Sequence, residues 1–279
     1  MSSQKAIGIF DSGFGGLTVV QAIKKLLPNE DLIYFGDTAR IPYGDKSSDT
    51  ICSYALENSH FLLKNNVKAI VIACNTATAF ALKKVQDNFP IPILGVIKPT
   101  IDTLRKTNPR SIAVLGTKGT IDSRAHQKLI RSNMPHTTIF NVACPLLVPL
   151  VEELKLEHPS TDMLIKKYLE HLPLDLEYAI LGCTHYHFLE NIFRKHLPKE
   201  TIIINSSESC AKSLLSLLKK HDLINKNKIK RGIRKYFVSD DPQKFKSLGT
   251  LLLAEPIQQV SLIQRINNPT SYKGSALSH

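Results

Sequence analysis

The chain has 279 residues, with 36 Lys and Arg against 24 Asp and Glu, so its formal net charge is +12. Hydrophobic residues make up 43% and charged residues 22%, which is typical of a globular protein and excludes a disordered chain. No run approaches the roughly 18 apolar residues of a membrane-spanning helix, and no apolar leader follows Met1. We therefore expect a cytoplasmic protein of one large or two ordinary domains.

Short β-branched runs alternate along the chain with amphipathic stretches, a pattern that predicts parallel sheets covered by helices. Besides a Pro-restricted strand after Phe89, we expect strands at 6–10, 32–36, 69–73, 111–117, 137–143, 177–182, 201–205 and 234–239. Besides the helices that begin after Cys74 and at Lys98, we expect helices at 17–27, 47–64, 123–131, 147–155, 160–172, 188–197, 209–221 and 241–252.

A weak internal repeat suggests two similar halves. Residues 67–77 and 176–186 each run from an apolar strand through a cysteine, Cys74 or Cys183, into small polar residues. The spacing between them is about one α/β domain. We expect a discontinuous first domain (1–97 with 206–255), a second domain (98–205), a polar and frayed tail (256–279), and an active site in the cleft between the domains.

Ligands of open α/β folds bind beyond the carboxyl ends of the strands. Cys74, Cys183, Thr117 and the turn Asp11-Ser12 are all predicted at such ends. A cysteine between a strand and a helix N-terminus lies near free N–H groups, which lower its pKa and favour the thiolate. The other three cysteines are expected to fill space in the core: Cys52, Cys144 and Cys210.

Two thiols from opposing halves suit one kind of reaction. Inverting a carbon stereocentre requires an acid/base group on each face, and cysteine reaches both protonation states near neutral pH. The carboxylate of Asp11 is placed to assist one thiol and the imidazole of His185 the other. Glu152, on the helix after Cys144, is a further candidate. These residue types indicate a two-base isomerase.

Five motifs, in order along the chain, resemble those of glutamate racemase. They are Asp11-Ser12-Gly13-Phe14-Gly15-Gly16-Leu17-Thr18-Val19, Pro42-Tyr43-Gly44, Ala73-Cys74-Asn75-Thr76-Ala77, the stretch from Cys144-Pro145 to Val151-Glu152-Glu153, and Gly182-Cys183-Thr184-His185-Tyr186. The resemblance runs from about Ala6 to Leu253, nearly the whole chain.

The resemblance implies a cofactor-independent interconversion of L- and D-glutamate that supplies D-glutamate for peptidoglycan, by a protein that is often a homodimer. Cys74 would act on the D-enantiomer and Cys183 on the L-enantiomer, assisted by Asp11, Glu152 and His185. The substrate-binding residues would be Asp11, Ser12, Pro42, Tyr43, Gly44, Asn75, Thr76, Thr117, Thr184 and His185. We expect no metal, nicotinamide, flavin or pyridoxal phosphate, since the Gly-rich turn lacks dinucleotide spacing.

One residue departs from the family pattern. His187 stands where the family usually has Pro, which restores an N–H donor at the start of the segment and loosens the turn. We expect His187 to be a surface or capping residue rather than a second base.

Three alternative functions fit either the second cysteine motif or the fold. A metal site on Cys183, His185 and His187 lacks the usual ligand spacing. A cysteine hydrolase would need a sharp chain turn to bring His185 against Cys183. An aspartate racemase or another two-cysteine isomerase of the same superfamily stays open, because pocket depth is not readable from sequence.

A basic segment raises a last alternative, a nucleic-acid-binding protein. It holds Lys219, Lys220, Lys226, Lys228, Lys230, Arg231, Arg234 and Lys235 against Asp222. No interleaved aromatic residues or known nucleic-acid motif accompany it, so a solvated loop is the favoured interpretation.

Overall fold

The computed structural model describes residues 2–227 and 231–263. Its strands are β1 (Ile7–Asp11), β2 (Leu32–Gly36), β3 (Ala69–Ile72), β4 (Ile93–Gly95), β5 (Ser111–Gly116), β6 (Thr138–Ala143), β7 (Tyr178–Gly182), β8 (Ile202–Ile204), β9 (Arg234–Val238) and β10 (Val260–Leu262). These strands form two sheets, and every strand pair in both is parallel.

Helices connect and cover the strands. They are α1 (Leu17–Leu26), α2 (Ser48–Lys64), α3 (Asn75–Asn88), α4 (Ile97–Leu104), α5 (Lys118–Asp122), α6 (Ala125–Asn133), α7 (Leu147–Glu152), α8 (Pro159–Leu169), α9 (Glu190–His196), α10 (Ser206–Lys220) and α11 (Pro242–Leu253). Short 3₁₀ turns lie at Thr38–Arg40, Tyr43–Asp45 and Thr184–Leu189.

The larger sheet has the order β10-β9-β2-β1-β3-β4, and the smaller sheet has the order β6-β5-β7-β8. The strands of the larger sheet come from residues 7–95 and 234–262, and those of the smaller sheet from residues 111–204. The predicted fold class, parallel α/β in two similar parts, is therefore confirmed.

The core follows from strands that are apolar on both faces. In β3, Ala69 and Val71 pack on one side of the sheet, and Ile70 and Ile72 pack on the other, all fully buried. Alternate side chains of a strand point to opposite faces, so a continuous apolar run requires cover on both. Helices supply that cover, which leaves the carboxyl ends of the strands as the open edge.

Helix boundaries depend on caps that the sequence signals only in part. Ser47 caps α2 by accepting the N–H of Thr50 at 3.3 Å, as predicted. Asn205 accepts the N–H groups of Ser207 and Glu208, so α10 begins three residues before the predicted start. The tail also differs from the prediction, since residues 260–262 pair with β9 as an added edge strand. Residues 264–279 of the predicted tail lie outside the described residues.

Across the described ranges, 2–227 and 231–263, we find no helix that has both the length and the apolar character to cross a membrane.

Candidate active site

Cys74 and Cys183 occupy matching places at the ends of two buried strands. Cys74 follows β3 and is the N-cap of α3, where its Sγ accepts the N–H of Ala77 at 3.5 Å. Cys183 follows β7 and precedes the 3₁₀ turn Thr184–Leu189. Each is 6% exposed. The predicted repeat therefore corresponds to a real structural equivalence between the two sheets.

Both thiols line one cleft between the sheets, with an empty volume of about 290 Å³. The lining residues are Ser12, Pro42, Tyr43, Gly44, Cys74, Asn75, Thr76, Thr117, Val148, Cys183, Thr184 and His185. Of these, Val148 is the one that the sequence reasoning missed, because an apolar residue on a short helix carries no sign of its role. Asp11 and Glu152 do not line the cleft, but they bond to residues that do.

Asp11 is fully buried at the end of β1. Its Oδ2 accepts the backbone N–H groups of Gly13 at 3.2 Å and Gly16 at 3.1 Å, and the hydroxyl of Thr184 donates to its Oδ1 at 3.4 Å. Burial raises the pKa of Asp11, and nearby His185 and the three donors offset this only in part. The Asp11 carboxyl therefore joins the Gly-rich turn after β1 to the segment that follows Cys183.

The thiol of Cys74 is held in its neutral form. Burial and then the charge of nearby Asp11 raise its pKa to about 12, although the N–H of Ala77 opposes the shift. Our prediction of a lowered pKa at this helix N-terminus is therefore wrong for Cys74. Loss of hydration and a nearby carboxylate outweigh one long N–H contact.

The surroundings of Cys183 are different. His185 Nδ1 lies 3.9 Å from Cys183 Sγ, and His185 Nε2 lies 2.9 Å from Glu152 Oε1. Burial lowers the pKa of His185, but Cys183 and Glu152 together outweigh it and raise that pKa to about 10. The 3₁₀ turn Thr184–Leu189 supplies the sharp bend that a Cys-His contact two residues apart requires, so the condition set from the sequence is met.

Three threonine hydroxyls from the two sides of the cleft meet one another. The hydroxyls of Thr76, Thr117 and Thr120 lie 2.9 to 3.0 Å from one another. Thr76 belongs to α3, and the other two belong to the first turn of α5 and its N-cap. Beside them, both polar atoms of the buried Asn75 amide have no hydrogen-bond partner among the described residues. Unsatisfied buried amides are rare, and this one indicates a ligand.

The glycines of the first motif are required by close approach. A Cβ on Gly15 would lie 2.5 Å from Thr184 Oγ1 and 2.6 Å from His185 Nδ1, and one on Gly16 would lie 2.6 Å from the Asp11 Cβ. The turn therefore fits against the Cys183 segment only without side chains at these positions.

Comparison with known proteins agrees with this geometry. The model of the Asp/Glu/Hydantoin racemase family matches residues 7–214. A glutamate racemase of Chlorobaculum tepidum is 41% identical over 266 residues, covering 94% of this chain and 97% of the relative. The chain belongs to the glutamate racemases of this family.

Solved structures of the family have the same fold. The glutamate racemase of Francisella tularensis, in complex with D-glutamate, superposes with a TM-score of 0.87 at 37% identity, covering 94% of this chain and 98% of that one. The aspartate racemase of Picrophilus torridus is 18% identical with a TM-score of 0.54 and covers 78% of this chain. It shares the fold.

Outside the cleft, three further cysteines of this glutamate racemase family member have separate surroundings. Cys144 and Cys210 are fully buried, and burial raises the pKa of each to about 12. Cys52 contacts the carbonyl of Phe80 at 3.3 Å. These contacts are those of packing residues.

His187 is not among the residues that line the cleft. It is partly buried, and its Nε2 lies 2.9 Å from Ser206 Oγ at the start of α10. Burial lowers its pKa to about 4, so it is neutral at physiological pH. Because Ser206 belongs to a later segment, the sequence gives no sign of this contact. Within the described parts of the chain, no group of three His, Cys, Asp or Glu side chains is arranged to hold a metal ion.

The basic segment is described only in part, since Lys228 and Lys230 lie outside the described residues. Of the rest, Arg234 donates to the carbonyl oxygens of Gly232 and Pro28, and Lys226 pairs with Asp222 at 3.2 Å. These contacts are local and lie away from the residues that line the cleft.

Proposed function

We propose that this protein interconverts L- and D-glutamate with two thiols, Cys74 and Cys183, acting on opposite faces of the α-carbon. The observation that carries the proposal is their placement: each ends a strand of a different sheet, and both line one cleft. A racemase needs a base on one face and an acid on the other. The two sheets offer one thiol each.

The different surroundings of the two thiols support a role for each. Burial and Asp11 hold Cys74 as the neutral thiol, so it serves as the acid. Cys183, with His185 and Glu152 beside it, serves as the base. In the L-to-D direction, Cys183 takes the α-proton and becomes a thiol, and Cys74 gives its proton to the opposite face and becomes a thiolate. The reverse reaction exchanges these roles, so no proton is gained or lost overall.

Substrate binding is supported by the neutral polar groups of the cleft. Glutamate carries two carboxylates, which hydroxyls and backbone N–H groups bind without a cationic side chain. The hydroxyls of Ser12 and Thr76 and the unsatisfied Asn75 amide provide such groups. Donors fixed in a narrow cleft stabilise the charge that develops as the α-proton leaves.

The other consequences of the resemblance belong to the same proposal. The product D-glutamate would serve peptidoglycan synthesis in the cytoplasm, and the protein would act as a homodimer. We also propose a discontinuous first domain of residues 1–97 and 206–255 around a second domain of residues 98–205. Its support is that the larger sheet draws strands from both ends of the chain.

The test follows racemisation and α-proton exchange in deuterated water, with L- and D-glutamate as separate substrates. We expect both enantiomers to racemise and to take up deuterium at the α-carbon. Faster turnover of aspartate than of glutamate would assign the protein to the alternative substrate. Full racemisation by both Cys74→Ser and Cys183→Ser would exclude the two-thiol mechanism.

A further inference from the structure

Behind the cleft, a buried carboxylate joins several segments of the larger sheet. Asp37 follows β2 and is fully buried. Both of its oxygens accept a hydrogen bond from Nε of Arg40, at 3.0 and 2.7 Å. Oδ1 also accepts a hydrogen bond from the hydroxyl of Ser239 at 2.9 Å, and Oδ2 accepts one from the hydroxyl of Tyr43. Burial of a carboxylate is tolerated when a positive charge pairs with it and donors satisfy its oxygens in this way.

The carboxylate of Asp37 binds the hydroxyl at the end of the Tyr43 ring. Its hydroxyl donates its single hydrogen to Asp37 and accepts Nδ2 of Asn58 at 3.0 Å. The residue is 1% exposed, although it lines the cleft together with Pro42 and Gly44. The hydroxyl therefore has no hydrogen to give a substrate, and it acts as an anchor for the turn Tyr43–Asp45.

Arg40 completes the anchor from the side of α2. Its Nη1 donates to Glu57 Oε2 at 2.5 Å and its Nη2 to Asn58 Oδ1 at 3.2 Å. The guanidinium also lies 3.9 Å from the centre of the Tyr54 ring. A planar guanidinium makes these contacts at once, whereas the ammonium of lysine has no such fork. Arg40 thus connects the end of β2 to α2 across the base of the turn.

The turn has little freedom on its other side. A Cβ on Gly44 would lie 2.6 Å from the Cβ of Thr117, and a Cβ on Gly119 would lie 2.8 Å from the Gly44 carbonyl oxygen. Backbone of the turn and the first residues of α5 are therefore in direct contact across the cleft. A shift of the turn by a fraction of an ångström changes the width of the cleft at this point.

We propose that Asp37 and Arg40 are positioning residues that set substrate affinity by fixing the Tyr43–Gly44 turn against α5. The proposal rests on the proposed function, because it assigns the turn to glutamate binding. Neither side chain lines the cleft, so both act through Tyr43. The acid/base groups belong to other elements, which is why we expect the loss to fall on KM rather than on kcat.

The test compares Asp37→Asn and Arg40→Lys with wild type in KM, kcat and thermal unfolding. Each variant removes one charge-assisted contact or alters its geometry. We therefore expect KM to rise about tenfold or more, while kcat stays within about threefold of wild type. Arg40→Met should raise KM more than Arg40→Lys, which keeps the charge. The matched control is Glu30→Gln, which breaks the buried Lys68–Glu30 pair in the same half of the protein but away from the cleft. It should lower stability and leave KM unchanged.

An unchanged KM in both variants, or a fall in kcat alone, would overturn the positioning role. Should Asp37→Asn fail to fold, Arg40→Lys carries the same test, because its side chain is partly exposed. Binding of D-glutamate by calorimetry separates the two proposals. Wild type that binds but does not racemise contradicts the proposed function alone, whereas equal affinity in wild type and variants contradicts the positioning role alone.

Discussion

The imidazole of His185 lies 3.9 Å from Sγ of Cys183, and Cys74 has no such partner among the described residues. Burial, and then the charge of the Asp11 carboxyl, raise the pKa of Cys74 instead. The two thiols thus occupy equivalent positions in unequal electrostatic surroundings. In the mechanism that we propose, this inequality makes Cys74 the thiol that starts as the acid.

Removing either thiol should abolish most of the racemisation. We expect Cys74→Ser and Cys183→Ser each to lower kcat by about 10²- to 10⁴-fold, the usual contribution of one acid/base group. Circular dichroism of the glutamate solution measures the rate. Cys52→Ser is the control, because Cys52 lies on α2 and does not line the cleft. A Cys52 variant as impaired as the others would point to general sensitivity to cysteine loss.

Neutralising Glu152 should change the pH profile. In Glu152→Gln, His185 loses the adjacent negative charge, so its pKa falls below the present value of about 10. We expect kcat/KM to fall about 10- to 100-fold, equally in both directions because the equilibrium constant of a racemisation is one, and the alkaline limb to move to lower pH. The control is Glu153→Gln, since Glu153 is exposed and faces Lys244 at 3.4 Å. If the alkaline limb does not move in Glu152→Gln, the pKa of His185 does not set that limb.

A single methyl group on the Gly-rich turn should disable the site. In Gly15→Ala the new Cβ would overlap Thr184 and His185, which forces the Cys183 segment away from the turn. We expect kcat/KM to fall by about 100-fold, the effect of a misplacement near 1 Å. The control is Gly8→Ala. Gly8 lies in β1, before the turn, and its Cβ would meet the core residues Leu62 and Val67 at 3.2 Å. This substitution should lower the melting temperature and leave kcat/KM unchanged in the folded protein.

Buried His126 should make the protein less stable in acid. Burial lowers its pKa to about 4, and neither ring nitrogen has a partner among the described residues. The unfolded chain binds this proton near pH 6.5 and the folded one only near pH 4, so stability falls as the pH drops between these values, by at most about 1.4 kcal/mol per pH unit. His126→Phe should flatten the decline, measured by urea unfolding from pH 4 to 7. Exposed His171→Gln should not, and equal slopes for wild type and His126→Phe would contradict the account.

Several features were readable from the sequence because they are local. Apolar runs with cover on both faces predicted the parallel strands, and the repeat around Cys74 and Cys183 predicted two equivalent halves. Eleven of the twelve residues that line the cleft were predicted, all but Val148: ten belong to the motifs, and Thr117 was placed at a strand end. Strand-end positions are readable in this way because parallel strands bring their carboxyl ends to one edge.

Contacts between distant segments were decided by the tertiary structure. The pairing of His187 with Ser206, the edge strand Val260–Leu262 and the anchoring of Tyr43 by Asp37 leave no periodic trace in the sequence. The same holds for the acidity of the thiols. A helix N-terminus predicts a lowered pKa for Cys74, but burial and the distance to Asp11 determine the actual direction. Strand-end positions and motifs in the sequence thus identify most of the groups that reach the cleft. The packing around those groups sets the charge that each one carries, because desolvation and charge separation depend on three-dimensional distance.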